Sequence, residues 1–131
     1  MLRRARGFTL IEILLVVLLT SILVALVAPL GIEQVEKARA QAEWLTLDRE
    51  MGRLSMDAFL RRDFVTIYAA GKQLAWEFRG GRQGVIEFEH LFFSPPQQVT
   101  INPNGIADRA EIEVLQRDRR RILRILPEAR E

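Results

Sequence analysis

Glu12 is the residue whose setting most demands a chemical reason. It is the only charged side chain between Phe8 and Leu30, a run of 23 residues. An acid at the centre of a bilayer costs about 2.5–3.5 kcal/mol on insertion scales and less near the interface, so such a group is normally paired or functional. The bland alternative is a side chain that snorkels to the cytoplasmic surface. Other chemistry-bearing residues are sparse. His90 is the only histidine, and with no cysteine the chain can build neither a disulfide nor a thiolate metal site. Ser21, Ser55 and Ser94 fall in the apolar run, a helical stripe and a loop, with no base beside them. His90, next to Leu91, Phe92 and Phe93, reads as a packed or surface histidine, and Asp108 with Asp118 makes a poor set of oxygen ligands for calcium. Gly80, Gly81 and Gly84 read as turn glycines, since no phosphate-binding lysine and helix follow. No catalytic residue, metal or cofactor is expected, and the chain reads as a non-enzyme.

The second chemical feature is basic. Arg117, Arg119, Arg120, Arg121 and Arg124 against Asp118 give a local charge of +4. Strand alternation separates Arg120 and Arg124 from Arg121, and arginines on a hairpin serve more often as a solvated face or as partners for acids such as Glu111 and Glu113. Nucleic-acid contact through these five is therefore the disfavoured reading, and would show as affinity falling steeply with salt. Bulk charge does not favour it either. The formal net charge is +2, but Arg3, Arg4 and Arg6 lie before the apolar run, and from Phe8 onward 16 basic residues face 17 acidic ones.

These residues need elements to hold them. As a helix, Phe8–Leu30 spans roughly 34 Å, enough to cross a bilayer. Three arginines before it place the N-terminus in the cytoplasm and send the rest outward. An ordinary secretory signal shares a basic start and an apolar core, but Glu12 interrupts the core and Pro29 follows the best small-residue cleavage site, Ala28. Past Gly31 the apolar residues narrow to stripes: Val35, Ala38, Ala42 and Leu45, then Trp44, Leu47, Met51, Leu54 and Ala58. Spacings of three and four predict one helix from about Phe8 to Leu60, apolar all round and then one-sided, kinked or loosened at Pro29.

After Arg62 the pattern turns to short strands: Phe64–Ala70, Leu74–Arg79, Val85–Glu89 and a segment to Gln98 punctuated by Pro95-Pro96. Val99–Asn102 meets a Pro103-Asn104-Gly105 turn, and the segments 111–116 and 120–126 pair around Arg117-Asp118-Arg119. The fold expected is α+β, a long helix packed on a small antiparallel sheet. One chain of 131 residues holds one such domain plus its anchor.

The segment Gly7-Phe8-Thr9-Leu10-Ile11-Glu12, between a short basic leader and an apolar run, resembles the prepilin class: type IV pilins and type II secretion pseudopilins. The resemblance covers residues 1 to about 45. It implies a pilin-like fold and cleavage between Gly7 and Phe8 by a membrane prepilin peptidase, which also methylates the new N-terminus at Phe8. It implies a cleaved leader 1–7, a membrane half-helix 8–30, an amphipathic half 31–62 and a periplasmic sheet domain 63–131. Pro29 falls where the class commonly has a proline. The Val99–Gly105 segment and closing hairpin look like the end of GspH/FimT-type minor pseudopilins, which implies a place near the tip of a pseudopilus. Its partners would be other major and minor pseudopilins and the inner-membrane assembly platform. A major pseudopilin is an alternative. So is a minor pilin for DNA uptake, since some FimT-like pilins bind DNA through C-terminal arginines, although the glycine that usually opens that motif is missing here. The anchor gives Glu12 a natural partner, the α-amino group freed at Phe8 on its own chain or a neighbour's.

Overall fold

A computed structural model of the protein describes residues 7–125. Arg3, Arg4 and Arg6 of the basic leader, and Leu126 at the expected end of the last strand, lie outside the described residues. Helix α1 spans Leu10–Arg61, with Pro29 inside it and not ending it. Six strands follow: β1 (Val65–Gly71), β2 (Gln73–Phe78), β3 (Gln83–Glu87), β4 (Leu91–Ile101), β5 (Glu111–Gln116) and β6 (Arg119–Arg124). They form one sheet in the order β3-β2-β1-β4-β5-β6, with every neighbouring pair antiparallel. The α+β arrangement expected from the periodicities is the one observed.

The chain divides into two compact units, Met1–Lys37 and Ala38–Glu131. In the first, the described apolar side chains from Phe8 to Val35 are all exposed. Thr20 and Ser21 return their hydroxyls to the carbonyls of Val16 and Val17, both at 2.7 Å, which satisfies them without a neighbour. In the second, Ala40, Leu47, Met51, Leu54 and Ala58 of α1 are buried, and Leu47 to Ala58 join the sheet's Val65, Ile67, Leu74, Phe93, Val99, Ile112 and Val114 in one core. Of the two stripes expected, only the one from Trp44 onward is covered. Val35, Ala38, Ala42 and Leu45 stay exposed, because the sheet packs on the face of Leu47 and Leu54 and these four lie off it. Trp44 is half-buried against the core.

The helix ends on a backbone motif at a non-glycine. Arg62 takes φ 51°, its N–H donates to Phe59 O at 3.4 Å, and Asp63 N–H donates to Ala58 O at 3.1 Å. This is the paired-bond termination that glycine usually supplies.

Three strand expectations need correcting. Ser94 is not in a loop and Val99 does not open a separate run, since the single strand β4 runs from Leu91 through Pro95-Pro96 to Ile101. Between the pairs Ala69↔Gln97 and Gly71↔Phe93, β1 advances two residues while β4 advances four, so the prolines sit in a bulge where no ladder donor is required. Gly84 is not a turn glycine but a β3 residue paired with Trp76. A Cβ there would collide with the Trp76 indole ring, so it serves close packing. Finally, Arg119 belongs to β6, and the turn is only Arg117-Asp118, both left-handed at φ 48° and 62°, the two-residue type I′ form.

Candidate functional site

The first site is the start of α1. Gly7, Phe8 and Thr9 precede the helix, and Phe8 is 85% exposed. Thr9 N–H donates to Glu12 Oε2 at 3.1 Å, and Glu12 N–H donates to Thr9 Oγ1 at 3.3 Å. This is a reciprocal capping box, in which two backbone donors with no helical partner are satisfied by side chains. The carboxylate also sits in the helix's first turn, where the dipole favours negative charge. Glu12 thus has an intrachain role before any other chain is considered. The Thr-x-x-Glu spacing ahead of an apolar run was a legible signal for this cap, and Thr9 was the residue overlooked.

The arginines divide as alternation requires. Arg121, on the side of β6 that carries buried Leu123, stacks with its guanidinium carbon 3.8 Å from the Trp44 ring centroid. It also donates to Gln116 Oε1, while Gln116 Nε2 donates to Ala40 O at 2.7 Å. Arg120 and Arg124 lie on the opposite face. Arg124 pairs across the strands with Glu111, its Nε 3.9 Å from the carboxylate, and is 82% exposed. Arg117 is exposed in the turn and Arg119 is exposed at the start of β6. The five do not share a face.

Side chains that no periodicity marks tie the second unit together. Glu43 Oε1 accepts Glu89 N–H at 2.8 Å and Oε2 accepts His90 N–H at 2.7 Å, which clamps the β3–β4 turn to α1. His90 Nδ1 stands 3.5 Å from the same carboxylate and is buried without a hydrogen-bond partner. Gln97, only 8% exposed, donates from Nε2 to Glu113 O and accepts Glu113 N–H at Oε1, both at 2.8 Å. Asp63 accepts from Phe64 N–H and Gly80 N–H, both at 2.8 Å. Ser55 donates to Gly105 O at 2.7 Å, holding the 102–106 turn on α1. Asp108 accepts Thr100 N–H at 2.9 Å and lies on a different element from Asp118. Arg53 has its pKa raised above the ordinary value, chiefly by the Glu50 hydrogen bond, then against desolvation by the charges of Glu50 and Asp57.

Residues 2–28 match the family described as the Prokaryotic N-terminal methylation motif. No curated protein and no solved structure matches the chain. The match supports a type IV pilin-like subunit, structural in kind, with a prepilin leader read by a prepilin peptidase and assembly with other pilins. The apolar stretch of α1, long and apolar enough to cross a bilayer, fits an inner-membrane anchor.

Proposed function

We propose that the chain is the precursor of a minor pseudopilin of a type II secretion-like system, of GspH/FimT type. The observation that supports the pilin-like part of this reading most directly is the Gly7-Phe8 junction with Glu12 four residues on, inside the matched segment and at the head of a 52-residue helix; the minor-subunit part rests on the resemblance of the Val99–Gly105 segment and the closing hairpin. The peptidase cuts between Gly7 and Phe8 and methylates the freed amine of Phe8. The apolar half-helix 8–30 is held in the inner membrane with the leader cytoplasmic and the sheet domain periplasmic. Pro29 loosens the helix where it leaves the membrane. Glu12 then exchanges its intrachain cap for the α-amino group of Phe8, its own or a neighbour's, and this pairing sets the register of insertion beside other pseudopilins on the assembly platform.

The test is the intact mass and N-terminal sequence of the membrane-bound protein, with and without a co-expressed prepilin peptidase. A chain that begins at Phe8 with one added methyl is the expected product. A chain that begins at Met1 in the peptidase's presence, or after Ala28, would overturn the reading.

A further inference from the structure

We propose that the tip of the β5–β6 hairpin, together with Lys72 of the β1–β2 turn, docks on the anionic headgroups of the bilayer that holds the chain's own apolar helix. The inference rests on the membrane-anchor reading and adds a second, polar contact with the same membrane.

Three observations carry it. First, Lys72, Arg117, Arg119 and Arg120 are all exposed, and Lys72 and Arg117 line one cleft with Phe92 and Leu115. Phe92 is 45% exposed, pairs with Leu115 across β4 and β5, and Leu115 pairs with Arg120. The nearby acids, Asp118 and Glu89, are outnumbered by these cations. An exposed aromatic among long cationic side chains suits a headgroup layer, which solvates the charged heads while burying ring and stems.

Second, the tip sits where the chain enters this unit. Gln116, the last residue before the turn, bonds Ala40 O, and Arg121, the third residue past the turn on β6, stacks on Trp44. Ala40 is only ten residues past Leu30, the end of the apolar run, or roughly 15 Å of helical chain whatever angle the anchor makes. The headgroup layer takes up roughly 5–8 Å of that, and the remainder is about one Debye length at physiological salt.

Third, the arginines favour a headgroup layer over a nucleic acid. A duplex presents a continuous row of phosphates and rewards a continuous row of cations. Here Arg121 is held against Trp44, and Arg124 is set beside Glu111 on the face that also exposes part of Glu113, so of the hairpin's arginines those at the tip, beside Lys72, are the ones left to meet an anionic surface.

The chain has no cysteine, so a spin label can be placed at D118C, at the turn, and separately at N104C, on the turn beside Ser55 of α1. Full-length protein is reconstituted in nanodiscs of phosphatidylcholine alone or with phosphatidylglycerol, and access of a water-soluble relaxation agent to each label is read. The expected result is loss of access at position 118 in the anionic discs only, no change at 104, and recovery in high salt. Recovery is also expected in R117Q/R119Q/R120Q, since roughly five-fold weaker attraction for each cation removed is enough to release the tip. Equal access at position 118 in both lipids overturns the proposal. So does protection by added duplex DNA without protection by phosphatidylglycerol, which assigns the tip to nucleic acid. Failure to enter discs at all sinks the anchor reading, and this proposal with it. Incorporation without lipid-dependent protection sinks this proposal alone.

Discussion

Glu12 can act in two ways, and they are separable by chemistry. As a cap it satisfies Thr9 N–H at 3.1 Å, an interaction that glutamine also makes in a capping box. As an ion-pair partner it needs its charge. Glu12→Gln and Glu12→Ala are both expected to be cleaved normally and to assemble poorly, scored as filament yield from membranes with an intact peptidase. Normal filaments from Glu12→Gln would assign the residue to the cap, and normal filaments from Glu12→Ala would sink the pairing. Thr9→Val removes the hydroxyl acceptor and leaves the charge, so it should cost about 1 kcal/mol of helix-start stability, seen as faster amide exchange at the first turn, with assembly retained.

Among the elements, the β4–β5 seam is the joint most dependent on a single side chain. The two strands pair through only Leu91↔Gln116 and Phe92↔Leu115, after which the proline bulge carries β4 away from its neighbour. The carboxamide of Gln97 then takes the place of a backbone peptide, donating and accepting once each with Glu113. Gln97→Leu fills the same volume and strands both Glu113 groups. It is expected to destabilise the domain by about 1–3 kcal/mol, which at about 4–8 °C per kcal/mol for a domain of this size is a clear fall in Tm. An unchanged Tm would mean that water or a shifted β5 replaces the amide. The helix end offers the opposite case: Arg62 holds a left-handed φ of 51° without being glycine, and its neighbour Asp63 secures the exit by accepting Gly80 N–H from the β2–β3 turn.

For the whole molecule, the division of labour follows burial. Among the described residues every buried apolar one lies at Ala40 or beyond, so the core draws no buried side chain from the apolar half of the helix. A chain starting at Gly31 is therefore expected to stay in solution and unfold cooperatively, with secondary structure and near-ultraviolet signals from Trp44 and Trp76 lost together. Noncoincident transitions would show that the core needs the anchor. What could be read from residue order alone was what local periodicity and spacing encode: the membrane-length apolar run, the one-sided helix, the alternating strands of an α+β domain, and the leader motif around Gly7, Phe8 and Glu12. Alternation alone even separated Arg121 from Arg120 and Arg124, because a strand's two faces are fixed by the period of two. What needed the tertiary structure were the contacts between residues distant in sequence. The Glu43 clamp on residues 89 and 90, the Gln97 bridge, the Trp44–Arg121 stack and the choice between two apolar stripes on α1 all depend on which surfaces the sheet brings together. No spacing within a single element records that, since hydrophobic burial is indifferent to direction until a partner face is chosen.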